Sequence, residues 1–134
     1  MEVALFVPCY IDQFYQNVGV ATLQLLEKVG CKVTFPLQQT CCGLPLTNSG
    51  FANLARLCDT NFVKNFTGFD YIVAPSGSCV LHIKEHLHDD KYIGESLQIR
   101  NTIYELTEFL RNSQYRTVVG NRSTWREKYY SICC

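Results

Sequence analysis

Three short segments of the sequence are rich in apolar residues, and each one stops at a proline. The segments cover residues 2–7, 31–35 and 71–74, and the prolines are Pro8, Pro36 and Pro75. Short apolar runs are typical of strands buried within a parallel sheet, and proline cannot continue the hydrogen-bonded ladder of such a sheet. The sequence therefore predicts three core strands.

Segments with helical periodicity alternate with these strands. Four helices are expected, over approximately residues 17–30, 49–67, 79–88 and 97–112. The second helix is expected to bury the apolar face formed by Phe51, Leu54, Ala55, Cys58 and Phe62. The alternation of strands and helices predicts an α/β fold, a parallel sheet flanked by helices in a Rossmann-like three-layer arrangement.

The composition restricts the classes of function. Twelve basic and twelve acidic residues among 134 balance, so the charge favours neither nucleic acid nor an anionic membrane as a partner. The apolar run at residues 3–8 is too short for a membrane span or for the core of a signal peptide, and we expect a cytoplasmic protein. In that reducing compartment, eight cysteines favour metal binding or redox chemistry over a disulfide framework.

Four cysteines follow the predicted strands, next to glycine or proline. Cys9 comes after the first strand, Cys41 and Cys42 after the second, and Cys79 after the third. Right-handed crossovers bring the carboxyl ends of parallel strands to one edge of the sheet, where open α/β sheets bind ligands. The helix N-termini that follow favour the thiolate, which is the metal-binding form of cysteine. These four thiols are therefore predicted to form one site.

The chemistry of the predicted site is left open by the residues alone. A disulfide between the neighbours Cys41 and Cys42 needs a strained ring, and a single zinc ion accommodates adjacent cysteines poorly. An iron–sulfur cluster fits better, because neighbouring thiolates can bind different iron atoms. His82 follows the last of the four cysteines by three residues on a helix, so it is a candidate ligand. Cys31 and Cys58 are predicted to be buried apolar residues.

Several separated motifs resemble those of a known family. Cys9, the segment Cys41-Cys42-Gly43 and Cys79 are spaced as in one CCG cysteine-rich module. Such modules occur in heterodisulfide reductase, in the iron–sulfur subunit of glycolate oxidase and in lactate utilization protein A. The segments around these cysteines resemble the lactate utilization protein A group. They cover residues 5–9, 14–19, 39–45, 48–50, 74–79 and 104–107.

This resemblance implies an iron–sulfur electron-transfer subunit in a system that oxidises L-lactate to pyruvate. The implied partners are the lactate utilization proteins B and C, and the chain would be an oxidoreductase component without catalytic residues for lactate itself. The implied cofactor is a [4Fe-4S] cluster, non-cubane in heterodisulfide reductase, with Cys9, Cys41, Cys42 and Cys79 as ligands. His82 stands where that family often has a further cysteine.

The similarity fades before the end of the chain. Residues 1–112 are predicted to form the first cysteine-rich module, and residues 113–134 a divergent or truncated tail where such proteins usually carry a second module. We therefore expect a truncated or frame-altered member of the family, and one alternative is an inactive member without a cluster. Another alternative is a zinc-binding module that uses Cys41, Cys79 and His82 with one more ligand. The last is a thiol-redox regulator that uses Cys41 and Cys42.

Overall fold

The computed structural model describes residues 1–112, in which a four-stranded parallel sheet lies between two layers of helices. The strands lie side by side in the order β2-β1-β3-β4, and their bounds are β1 (Glu2–Leu5), β2 (Lys32–Thr34), β3 (Tyr71–Ala74) and β4 (Ile103–Glu105). The predicted α/β fold is thereby confirmed. The tail predicted for residues 113–134 lies outside the described residues.

The helices of this part of the chain connect the strands and cover both faces of the sheet. They are α1 (Cys9–Phe14), α2 (Gln16–Lys28), α3 (Leu44–Asn48), α4 (Ala52–Phe66), α5 (Gly77–His86), α6 (Ile93–Thr102) and α7 (Leu106–Arg111). Among residues 1–112, no helix combines the length and the apolar character needed to cross a membrane.

Successive residues of β1, and Phe6 directly after it, face opposite layers, as the pleat of a strand requires. Ala4 and Phe6 pack with α4, α5 and α6 on one face, whereas Val3 and Leu5 pack with α2 and α7 on the other. Phe6 is fully buried, and its ring meets the ring of Phe62 edge-on at 4.9 Å between centroids. The two cores account for the three-layer arrangement.

The prediction of a single helix over residues 97–112 is wrong, because β4 interrupts this segment. Ile103 is fully buried with an extended backbone (φ −89°, ψ 134°), and β4 continues the sheet by pairing with β3. The Glu105 side chain then accepts hydrogen bonds from the N–H groups of Thr107 and Glu108, which begins α7. Pairing with the sheet outweighs the helical periodicity of this segment.

Two further differences from the predicted helices concern α1 and α4. The segment around Asp12, which lies outside the four predicted helices, forms part of α1. The second predicted helix corresponds to α4, which begins at Ala52 and not at residue 49, and Phe51 and Leu54 are exposed. The buried face of α4 is instead formed by Ala55, Asp59, Phe62, Val63 and Phe66.

Candidate functional site

The four predicted site cysteines lie beyond the carboxyl ends of the strands. Cys9 is the first residue of α1, Cys79 lies in the first turn of α5, and Cys41 with Cys42 lies in the loop between β2 and α3. The chain moves from β1 to β2 on one side and crosses to β3 on the other, so the order of the sheet reverses between β1 and β3. Crevices at such reversals are the common ligand sites of open parallel sheets.

Cys9 and Cys41 form the first of two thiol pairs. The Cys9 thiol donates a hydrogen bond to Cys41 Sγ at 3.4 Å, and the Gly43 N–H donates to the same sulfur at 3.4 Å. Both cysteines are half-buried. Burial, and then the hydrogen bond to Cys41, raise the pKa of Cys9 to about 11. The Cys41 sulfur is thus the acceptor of this pair.

Cys42 and Cys79 form the second thiol pair, which is more deeply buried. Their side chains are 2% and 9% exposed, and both belong to the core that packs against α4 and α5. The hydrogen bond from Cys42 lowers the pKa of Cys79 to about 6, although burial acts in the opposite direction. Hydrogen bonds from the hydroxyls of Ser76 and Ser78 lower this pKa further. The same hydrogen bond raises the pKa of Cys42.

The two pairs influence each other electrostatically. The negative charge of a Cys79 thiolate contributes to the raised pKa of Cys9, and that of Cys41 contributes to the raised pKa of Cys42. Four thiols that follow three strand ends are therefore close enough to affect one another. The structure places together the cysteines that the sequence predicted to share a site.

His82 is buried one turn after Cys79 on α5, with 5% of its surface exposed. Burial and the neighbouring His86 lower the pKa of His82 below its ordinary value, although a hydrogen bond with the Cys42 backbone acts in the opposite direction. The rings of His82 and His86 lie 5.2 Å apart between centroids. The lowered pKa favours the neutral form of His82 beside the Cys41-Cys42 loop, and its role as a ligand stays a prediction.

Cys58 lies at the margin of the site, which the sequence did not indicate. It is half-buried on α4, and a Cβ on Gly43 would lie 3.4 Å from the Cys58 Cβ. Burial raises the pKa of Cys58, and the charge of Cys41 adds to that effect. The α4 helix therefore supports the loop directly. Cys31, in contrast, is buried in the core on the opposite face, as predicted.

A cavity of about 220 Å³ opens next to the Cys9–Cys41 pair. Both cysteines line it, together with Val7, Asp12, Phe35, Leu37, Gln39 and Thr40. Leu37 is 89% exposed and Phe35 is 43% exposed, so the wall that they form is open to solvent. Neither Cys42 nor Cys79 lines this cavity. The first pair is therefore accessible and the second is sheltered.

The chemistry of the four thiols can be compared with the requirements of metal binding. Within residues 1–112, no three His, Cys, Asp or Glu side chains are placed to hold one metal ion. The chemistry of the set nevertheless fits an iron–sulfur cluster, which needs several thiolates and benefits from hydrogen bonds to sulfur. The Gly43 N–H and the hydroxyls of Ser76 and Ser78 supply such hydrogen bonds.

Comparison with known proteins identifies the family. Residues 3–84 match the family model of the CCG cysteine-rich domain. The chain belongs to the CCG cysteine-rich domain family. The matched residues of this CCG domain include all four site cysteines and His82, so the site lies within the part of the chain that defines the family.

The CCG domain is also similar to longer curated proteins. It is 42% identical to lactate utilization protein A of Geobacillus thermodenitrificans over 99% of this chain and 57% of that protein. It is 41% identical to lactate utilization protein A of Bacillus subtilis over 84% of this chain and 49% of that protein. The chain thus spans about half the length of the curated relatives that it matches. No solved structure matches it significantly.

Proposed function

We propose that this CCG domain is an iron–sulfur electron-carrying part of a system that oxidises L-lactate to pyruvate. The observation that carries the proposal is the convergence of four thiols from three strand ends at the reversal of the sheet. The lactate utilization proteins A that resemble the chain support the choice of pathway through their name alone.

Cys9, Cys41, Cys42 and Cys79 would hold a [4Fe-4S] cluster of the non-cubane or the cubane type, and His82 is a candidate fifth ligand. When bound, the cluster would supply reversible uptake of single electrons. The protein groups around the thiols have separate roles. Hydrogen bonds to the sulfurs raise the reduction potential of such centres, and the Gly43 N–H, which already donates to the Cys41 sulfur, is suited to this role.

The uneven burial of the two thiol pairs supports a direction for electron exchange. Cys42 and Cys79 are enclosed by the core, whereas Cys9 and Cys41 border a cavity whose wall at Leu37 is largely exposed. A redox partner would therefore approach from the side of the Cys9–Cys41 pair. The proposed partners are the lactate utilization proteins B and C in the cytoplasm, and the activation of lactate would take place on one of them.

Anaerobic reconstitution with iron and sulfide tests the proposal. We expect a brown protein with several iron atoms per chain and a visible absorption that bleaches when dithionite is added. Replacing Cys42 with serine should strongly reduce the bound iron. Replacing Cys31 with alanine is the matched control, because Cys31 is also buried but belongs to the core on the other face of the sheet.

Two results would overturn the proposal for this chain. The first is a colourless protein with much less than one iron atom per chain after reconstitution, although circular dichroism shows that it is folded. The second is stoichiometric zinc that iron and sulfide do not displace, which would support the zinc-binding alternative. If the Cys31→Ala variant loses as much iron as the Cys42→Ser variant, Cys42 is not a specific ligand of the cluster.

A further inference from the structure

The two thiol pairs differ in their access to solvent, and a cluster site does not require such a difference. The Cys9 and Cys41 sulfurs lie 3.4 Å apart and border an open cavity of about 220 Å³. The Cys42 and Cys79 side chains are buried and lie away from that cavity. The first pair is therefore open to small solutes, whereas the second is enclosed by the core.

The contact between Cys9 and Cys41 is close to the geometry of a disulfide. Disulfide sulfurs are about 2.05 Å apart, so the sulfurs need to approach by little more than 1 Å. The neighbours Cys41 and Cys42 are less suitable, because consecutive Cα atoms are about 3.8 Å apart, and disulfides usually join Cα atoms separated by at least about 4.4 Å. The preferred partner of Cys41 is therefore Cys9, 32 positions earlier in the chain.

We propose that, without a cluster, Cys9 and Cys41 form a reversible disulfide by exchange with a small disulfide such as oxidised glutathione. The Cys41 thiolate attacks one glutathione sulfur, the glutathione disulfide bond breaks, and the first glutathione leaves as a thiolate. Cys9, in contact with Cys41, then attacks the Cys41 sulfur of the mixed disulfide and releases the second glutathione. The protein pair loses two electrons and two protons, and two molecules of reduced glutathione carry them away.

The contact between the two sulfurs explains why the mixed disulfide is resolved. Cys9 Sγ lies 3.4 Å from Cys41 Sγ, so Cys9 is in position to attack Cys41 once glutathione is attached there. Both cysteines line the open cavity, so the released glutathione has a route to solvent.

The consequence for cluster loading rests on the proposed function. A Cys9–Cys41 disulfide removes two of the four proposed ligands, and a thiol such as dithiothreitol restores them. The accessible pair would then act as a reversible block that keeps the oxidised chain from receiving iron. The disulfide itself does not depend on whether a cluster ever binds.

Peptide mapping of the cluster-free chain tests the disulfide directly. The chain is treated with excess oxidised glutathione, its remaining thiols are alkylated at low pH, and it is digested with trypsin without reductant. Cleavage after the lysines and arginines places Cys9 on residues 1–28 and Cys41 with Cys42 on residues 33–56. We expect these two peptides to be joined, and fragmentation to locate the bond at Cys41. Addition of dithiothreitol should separate them.

Variants identify the partners in the bond. Replacing Cys9 or Cys41 with serine should abolish the cross-link, and replacing Cys58, the half-buried thiol beside the same loop, should leave it intact. The inference is overturned if residues 33–56 carry an internal Cys41–Cys42 disulfide instead, if Cys79 joins the cross-link, or if glutathione stays attached without resolution. Because the wild-type map alone separates these outcomes, a variant that fails to fold does not affect the test.

Iron uptake separates this inference from the proposed function. If the cross-link forms and the reduced chain takes up iron whereas the oxidised chain does not, both are supported. If the cross-link forms but the reduced chain binds no iron, the proposed function fails and the disulfide stands. If the reduced chain binds iron but no cross-link forms, only the disulfide is overturned.

Discussion

The Val7 N–H donates a hydrogen bond of 2.8 Å to Oε1 of Gln39, which ties the main chain before Cys9 to the side chain before Cys41. The amide group of Gln39 also donates to the carbonyls of Leu5, at 3.1 Å, and Pro36, at 3.0 Å. One side chain thus continues the pairing of the first two strands beyond their ends. It fixes the distance between the loops that carry the first thiol pair.

Replacing Gln39 with methionine should destabilise the domain by about 1–3 kcal/mol, because the side chain keeps its length but loses all three hydrogen bonds. Urea unfolding measures the effect. Gln38→Met is the matched control, since Gln38 is the adjacent residue and is exposed. Equal unfolding midpoints for the two variants would show that the Gln39 amide does not hold the loops together.

Gly43 should tolerate alanine less well than Gly50 does. Both glycines have left-handed backbones, with φ of 86° and 85°, so a Cβ costs about 1–2 kcal/mol at either position. A Cβ at Gly43 would also lie 3.3 Å from the Ala55 Cβ, whereas nothing lies within 4 Å at Gly50. We expect Gly43→Ala to lose roughly 1 kcal/mol more than Gly50→Ala in urea unfolding. Identical losses would contradict close packing of the cysteine loop on α4.

The sequence was sufficient to predict where these four cysteines lie in the fold, because their placement depends on topology. The alternation of strands and helices dictates a parallel sheet, and the positions of Cys9, Cys41, Cys42 and Cys79 after the strands dictate their common edge. The pairing of Cys9 with Cys41 was not predictable. It depends on how the Gln39 side chain aligns the segments that carry Cys9 and Cys41, and the hydrophobic periodicity of the sequence does not indicate such an alignment.

The end of the domain was predicted less well for a physical reason. Ile99, Ile103 and Leu106 have helical spacing, but residues 103–105 lie next to an open edge of the sheet and gain hydrogen bonds there. Similarly, Phe51 and Leu54 fit a helical apolar stripe, yet both are exposed at the start of α4. Periodicity indicates which residues share a face and does not decide which face meets the sheet.

The break between β4 and α7 should depend on the side chain of Glu105. Its carboxylate accepts hydrogen bonds from the N–H groups of Thr107, at 2.8 Å, and Glu108, at 3.3 Å. Replacing Glu105 with alanine should cost about 1 kcal/mol in thermal or urea unfolding, as expected for the loss of a helix cap. Aspartate, a favourable capping residue, should restore most of the stability. A loss of the same size in both variants would argue against capping.

Asp59 should make the stability of the domain depend on pH. Its carboxyl is buried in α4, and burial raises the pKa of Asp59 from 3.8 to about 6, partly offset by a hydrogen bond from the backbone of His88. Because the folded state prefers the protonated form, the stabilisation is fully present below pH 3.8 and is lost as the pH rises through 6. The Asp59→Asn variant should lack this loss.

The difference in the free energy of unfolding between Asp59→Asn and the wild type should therefore change with pH in favour of the variant. From about pH 4 to about pH 7.5 we expect a change of up to about 3 kcal/mol, measured by urea unfolding at each pH. Asp89 and His82, whose pKa values are lowered, act in the opposite direction but are present in both proteins. The charge of Asp89 also adds to the raised pKa of Asp59, and this contribution is part of the expected change. A difference that stays constant across this range would mean that the Asp59 carboxyl is ionised as readily in the folded chain as in the unfolded one.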